Sequence, residues 1–380
     1  MEWKKVKIGD VCRIKHGFAF KGIHFVDTPQ KYVCVTPGNF TTKGGFKNDK
    51  PKFYNGPIPE DYILKEDDLI VTMTDLSKAG DSLGYSALVP HDDRYIFLHN
   101  QRIGLVTDIS KDIDKHFLYW VMRTFGYQKY IVNHCSGSTV KHTSPSSICS
   151  YNFECPTISY QKLIAKILDD LDAKIENNTR INRNLEAQAQ ALFKSWFVDF
   201  EPWGGVMPED WKEYELGEFL PVITGKKDAN IASKTGKYPF FSCAQDILYT
   251  DNYSFDANAI LVAGNGDFNV KWYRGKFEAY QRTYVLIPNN SRYLGWLFYM
   301  VKHNLNNITC GARGSVIKFI TKGNLENFRF AAPMDLTHCD IIDKFNTINQ
   351  TIENNCLESA RLAALRDTLL PKLMKGEIEV

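Results

Sequence analysis

Apolar residues recur every three to four positions through two long stretches of the chain. Within 159–197 the a and d positions of a heptad fall at Ile164, Leu168, Leu171, Ile175, Asn178, Asn182, Leu185, Ala189, Leu192 and Trp196. Within 338–374 they fall at Ile341, Phe345, Ile348, Ile352, Asn355, Ser359, Leu362, Arg366, Leu369 and Leu373. A heptad seam sustained this long predicts two long helices that meet as a coiled coil. Asn178 and Asn355 are polar at matching seam positions, and a buried asparagine lowers stability while fixing register. Elsewhere the pattern shortens to strand-like runs such as 68–73 and 259–263. Turn signals separate them: Gly44-Gly45, Asn55-Gly56-Pro57, Gly264-Asn265-Gly266 and Asn289-Asn290. Stretches 114–130 and 293–304 have helical spacing, so the globular parts are expected to be mixed α/β.

The two seams belong to a wider repeat. Ile175-Glu176-Asn177-Asn178 recurs as Ile352-Glu353-Asn354-Asn355, an offset of 177. The same offset carries Gly137-Ser138-Thr139-Val140-Lys141 onto Gly314-Ser315-Val316-Ile317-Lys318 and Pro156 onto Pro333. Gln101-Arg102 matches Gln281-Arg282 at 180, and Trp3 to Gly9 matches Trp211 to Gly217 at 208. Five matches in one order indicate duplication. The first half is longer by about 31 residues, most of them before Gln101. The chain therefore divides into a globular part at 1–156, a helix at 157–200, a second globular part at 201–335 and a second helix at 336–380. Similar halves predict a pseudo-two-fold relation, with the helices antiparallel inside one chain.

Composition narrows the chemistry. Apolar residues make up 44% and charged residues 24%, which is ordinary for a water-soluble protein. No run is long and apolar enough for a membrane span, and the N-terminal residues carry no signal-peptide core. Nine cysteines without a CxxC are expected to be free thiols in a reducing cytoplasm. The net charge of +2 excludes a protein that grips nucleic acid by bulk charge. No P-loop, HExxH or GxSxG is present, and no Pro-Pro of the kind a DNA methyltransferase motif needs. Gly264-Asn265-Gly266 reads as a hairpin turn, because the residues after it look like a strand and a phosphate loop needs a helix there. Histidines lack metal-ligand spacing, so no metal site is expected. Asp169 and Asp170, with their flanking lysines, read as a solvated helix face.

Basic residues nevertheless cluster locally, in 41–52, 224–237 and 271–282, the last interleaved with Trp272, Tyr273, Phe277 and Tyr280. Cations beside aromatics in turns suit phosphate contact and base readout. The candidate DNA contacts are Lys43, Lys47, Lys141 and His142 in the first half, and Lys226, Lys227, Lys271, Arg274, Arg313 and Lys318 in the second.

Leu192-Phe-Lys-Ser-Trp-Phe-Val-Asp-Phe200 with Glu201-Pro202 resembles the end of the first conserved region of type I restriction–modification specificity (S) subunits. The run Leu365-Arg-Asp-Thr-Leu-Leu-Pro-Lys-Leu-Met-Lys-Gly-Glu-Ile378 resembles the second conserved region, and Trp3 to Asp10 and Trp211 to Glu218 resemble the openings of the two target-recognition domains. The Gly-Ser-x-x-Lys stretches at 137–141 and 314–318 sit in the family's order. The resemblance implies a DNA-reading subunit without chemistry of its own. It would read a bipartite, asymmetric double-stranded target, with helices about 55 Å long as the spacer. It implies two methyltransferase (M) subunits carrying S-adenosylmethionine and restriction (R) subunits using ATP and magnesium, no cofactor in this chain, and docking at the helix ends through Phe193, Trp196, Phe197, Leu369 and Leu373. Two other readings stay open: a coiled-coil scaffold that binds only protein, and a DNA-modifying enzyme with an unrecognised site.

Overall fold

The computed structural model describes residues 3–75, 77, 80–310, 312 and 318–379. The chain forms two units: Met1–Glu176 with Ser359–Val380, and Asn177–Glu358. Each unit takes in one globular part and about half of each long helix, so the helices do not form separate bodies.

In the first unit, Lys4–Lys7 pairs antiparallel with Asn152–Cys155. Behind this pair lies an antiparallel sheet in the order Arg13–His16, Ile103–Thr107, Leu69–Thr72 and Ser86–Leu88. A smaller sheet joins Phe25–Val26, Phe53–Tyr54, Tyr32–Val35 and Ile96–His99, the last pair parallel. The stretch expected to be helical splits into Lys115–Val121 and Phe125–Asn133. Each helix begins at a side-chain cap: Asp114 accepts from Phe117 N at 3.0 Å, and Thr124 from Tyr127 N at 3.3 Å. Phe117, Trp120 and Tyr127 are fully buried and fill the core.

The second unit repeats the plan. Trp211–Glu215 pairs with Arg329–Pro333, and a six-stranded sheet runs Val222–Thr224, Thr283–Leu286, Phe255–Ala263, Val270–Ala279, Tyr238–Phe241, Leu248–Thr250. The turn at Gly264 joins Phe255–Ala263 to Val270–Ala279 as an antiparallel hairpin, as expected. Leu294–His303 is a helix with Leu294 through Val301 all buried.

Register confirms the duplication. Lys4 faces Cys155 and Lys212 faces Ala332; His16 faces Gly104 and Thr224 faces Tyr284; Val35 faces His99 and Phe241 faces Ala279. Leu105 faces Ile70 where Val285 faces Leu261, so the offset has drifted to 191 by that strand. The extra length of the first half therefore lies mainly between 36 and 98, and includes the strand Phe53–Tyr54.

The long helices are Ile158–Phe197 and Ile341–Leu373. In the first unit, Tyr160 Oη donates to Ile378 O at 3.0 Å, while Arg366 Nη1 lies 2.5 Å from Asp172. In the second, Asn178 Nδ2 donates to Glu358 Oε2 at 2.7 Å and Asn182 Nδ2 to Ile352 O at 3.3 Å. Numbers rise on one helix as they fall on the other, so the pairing is antiparallel in each unit. Seam positions Ile164, Leu168, Asn178, Ala189, Ile341, Phe345 and Leu373 are buried, as the heptad predicts. The helices also bury residues outside the seam: Ala165, Phe193, Phe197, Ile342, Asn349, Leu370 and Met374. Toward its globular part a helix packs against two neighbours at once, which widens its apolar stripe.

Candidate nucleic-acid interface

Lys141 lies on a two-residue strand, Lys141–His142, paired with Thr74–Asp75. Ser136 and His142 exchange backbone hydrogen bonds of 2.9 and 2.8 Å, which closes the Gly-Ser-Thr-Val-Lys stretch into a hairpin tip. Gly137 has φ of 90°, and a Cβ there would fall on Val140 O, so the glycine of the motif is a steric requirement. Opposite Lys141, the buried Asp75 carboxylate accepts from Ser77 N at 2.6 Å, Ser82 N at 2.5 Å and Leu83 N at 3.1 Å. Burial works against its charge, but the Ser77 and Ser82 donors outweigh it and hold its pKa below the usual value. His142 is exposed, with Nδ1 3.1 Å from Thr74 Oγ1.

The second unit places Lys318 at the matching point. Gly266 N donates to Lys318 O at 3.0 Å, and Asn265 bridges Phe319, as Asp75 and Thr74 lie beside Lys141 and His142 in the first unit. Lys318 is exposed. Arg313 and Gly314 to Ile317 lie outside the described residues.

Lys226 and Lys227 are exposed just after Val222–Thr224. Gly225 before them has no room for a side chain: a Cβ would fall on the carbonyls of Ala279 and Tyr280. Gly17 meets the carbonyl of Asn100 in the same way at the equivalent place in the first unit. Sequence reasoning missed this pair, although the offset of 208 that relates Trp3 to Trp211 also relates Gly17 to Gly225. Lys47 is exposed as well.

Three of the expected contacts have partners within their own unit. Lys43 pairs with Asp367 at 2.7 Å, and its carbonyl accepts from Arg123 Nε at 2.9 Å. Lys271 is half-buried, donating to Ala244 O at 2.7 Å and to Asn269, and burial pushes its pKa down. Arg274 lies over the Trp272 ring at 5.2 Å and donates to Gln350. Local charge density marked these residues, but it does not show which cations already have partners.

A cation–aromatic group in the second unit was not singled out. Lys276 sits 4.8 Å from the ring centre of exposed Tyr253, Lys237 sits 5.4 Å from that of Tyr238, and the two rings are 4.8 Å apart. Lys237-Tyr238, Tyr253 and Lys276 are too far apart in sequence for any local pattern to mark them as a group.

The docking expectation also narrows. Phe193 is 2% exposed, Phe197 7% and Leu373 1%. Phe193 and Phe197 stack at 5.3 Å, with Phe197 against Trp211 at 5.4 Å; Leu373 lies in the core of the first unit. Trp196 and Leu369 are partly exposed.

The acidic helix face is a further correction. Asp170 pairs with Lys166 at 2.8 Å on the surface, as expected. Asp169 instead accepts from Trp120 Nε1 and pairs with His116, each at 2.7 Å. Asp172 is held by Arg123 and Arg366. Helical periodicity identifies a face but not the element that covers it. Among the described residues no group of His, Cys, Asp and Glu could hold a metal ion, and no helix is long and apolar enough to cross a membrane.

The same sheet-and-helix plan occurs twice, with Lys141 and Lys318 at matching points. Residues 1–187 and 208–359 match the type I restriction modification DNA specificity domain, and the chain belongs to that family. It is 38% identical over 178 residues to the type I restriction enzyme EcoDI specificity subunit of Escherichia coli, covering 46% of this chain and 40% of that one. It is 25% identical over 318 residues to the MjaIX specificity subunit of Methanocaldococcus jannaschii, covering 73% and 72%. The chain thus spans less than half the length of the EcoDI relative. Its fold matches the crystal structure of a type I restriction–modification S subunit from M. genitalium with a TM-score of 0.63 at 17% identity, over 98% of this chain and 96% of that one.

Proposed function

We propose that this chain is the DNA-reading subunit of a type I restriction–modification complex and has no chemistry of its own. Each globular part reads one half of a bipartite, asymmetric double-stranded target. S-adenosylmethionine and the adenine-methylating site belong to two methyltransferase subunits, and ATP and magnesium to restriction subunits. The observation that carries this reading is the repeated position of one lysine. Lys141 and Lys318 occupy equivalent points on two copies of one scaffold, while the residues around them differ. A shared scaffold with divergent edges suits two half-sites of different sequence, since phosphate contacts position the protein and base contacts specify the site. Partner subunits dock at the helix ends marked by Phe193, Trp196, Phe197, Leu369 and Leu373, of which Trp196 and Leu369 are partly exposed.

The test is methylome sequencing of cells that express this chain with its cognate methyltransferase subunit, before and after residues 205–330 are exchanged for those of a relative. The expected result is a split adenine-methylation motif of which one half changes. A change in both halves, or in neither, would overturn the modular reading.

A further inference from the structure

His116, at the start of helix Lys115–Val121, has a carboxylate on each ring nitrogen. Nδ1 lies 2.7 Å from Asp169 Oδ2, on helix Ile158–Phe197. Nε2 lies 3.2 Å from Asp67 Oδ1, on the turn that leads into strand Leu69–Thr72. A neutral imidazole carries one N–H, so it can donate to only one of the two. Its other nitrogen then turns a lone pair toward a carboxylate. The imidazolium has two N–H groups and satisfies both.

The surrounding charges leave this balance intact. Lys115, on the same helix, donates to Asp67 O at 2.7 Å and pairs with the Asp67 carboxylate. Trp120 Nε1 donates to the other oxygen of Asp169 at 2.7 Å, and on the long helix Lys166 and Asp170 pair with each other at 2.8 Å. Glu66 and Asp68 flank Asp67 on its turn: Glu66 faces His91 at 3.2 Å, and Asp68 accepts from Lys65 N at 2.8 Å. The ring therefore faces two carboxylates, one of them shared with a lysine.

We infer that His116 is a proton-operated latch between the main sheet and the long helix of the first unit. As imidazolium it ties the Asp67 turn to Asp169, and its deprotonation as pH rises releases that tie. The hydrogen bond to Asp169 is the largest influence on the ring; with Asp67 it outweighs burial and holds the His116 pKa above the usual histidine value. The sign follows from linkage. The stabilisation is complete below the pKa of an unfolded-chain histidine and is lost as pH rises through the folded pKa. Leu69–Thr72 begins at the latch and leads on to Thr74–Asp75, which pairs with Lys141–His142. The latch thus sits at one end of the segment whose other end carries a proposed DNA contact. Only that last consequence rests on the proposed function.

The test uses the full chain without DNA, so its outcome is independent of the DNA-reading proposal. Histidine-labelled NMR titration should place the His116 midpoint above about 6.5, and Asp169→Asn should lower it. Hydrogen exchange of amides 67–72, corrected for intrinsic rates, should show protection falling about tenfold as pH rises through that midpoint. His116→Gln should abolish the pH step, and His116→Arg, which keeps a cation with several donors, should keep protection high at every pH. A midpoint at or below about 6.5, or a pH step that persists in His116→Gln, would overturn the latch.

Discussion

Asp172 is the point where removing one carboxylate should do the most damage. It lies 2.5 Å from Arg123 Nη1 and 2.5 Å from Arg366 Nη1. The Arg123 side chain is only 4% exposed and that of Arg366 13%, against 27% for Asp172. Asp172→Ala would leave two cations enclosed without this partner. An uncompensated buried charge costs about 3–5 kcal/mol. Some compensation survives: Arg123 still donates to Lys43 O at 2.9 Å and Tyr119 Oη at 2.5 Å, and Arg366 still meets Asp367 at 2.8 Å. The expected loss is therefore near the lower limit, about 3 kcal/mol, a factor of roughly 150 in the opening equilibrium of the first unit. Asp172→Asn keeps one acceptor and should lose about half as much. The assay is urea-dependent hydrogen exchange resolved by peptide, which reads the first unit separately from the second. The double variant Asp172→Leu with Arg123→Met should recover part of the loss, because replacing a buried pair by apolar residues is often neutral. A loss below about 1 kcal/mol for Asp172→Ala, or a double variant no better than the single one, would refute the reasoning.

Gly225→Ala should destabilise the second unit by about 3 kcal/mol or more, since its Cβ meets two backbone carbonyls that cannot rotate away; thermal unfolding measures this, and Gly17→Ala should do the same to the first unit. Replacing Asn178 and Asn355 together by leucine should raise the unfolding midpoint while loosening helix register, because Asn178 is buried on Glu358 and Asn355 donates to Asn182 Oδ1 at 2.8 Å; cysteine cross-linking across the two helices would report the register, and a single unchanged cross-link pattern counts against it. Lys226→Ala with Lys227→Ala should weaken binding of the methyltransferase-bound chain to every DNA sequence and lower the salt slope by about one unit for each phosphate no longer neutralised, whereas an unchanged slope removes this loop from the interface.

Much of the fold is legible in the sequence alone. The heptads are legible because 3.5-residue spacing is a property of the chain alone, and both long helices lie within a few residues of the predicted stretches. The duplication is legible because short anchors such as Gly137 and Trp211 sit where the backbone or core tolerates little else. Contacts between distant segments are not legible. Asp169 looks solvated until Trp120 and His116 are brought against it from about fifty residues away in sequence. Lys43, Lys271 and Arg274 look free until Asp367, Ala244 and Gln350 are in place. Gly17 and Gly225 carry a steric demand that belongs to a crossing strand turn. In each case the missing information is the identity of a neighbour.

These partners bear on how the chain, under the proposed function, would hold DNA. Affinity for a duplex comes chiefly from cations that displace condensed counterions, and each phosphate neutralised contributes to the salt slope. The chain's net charge is only +2, and three of the ten expected contacts are tied up within their own units. The exposed candidates among the described residues, Lys43, Lys47, His142, Lys226, Lys227 and Lys318, are divided between two globular parts. Under the proposed function, so low a net charge suits a subunit whose task is discrimination. A weak electrostatic background makes base contacts a larger share of the total, and partner subunits would supply the remaining affinity.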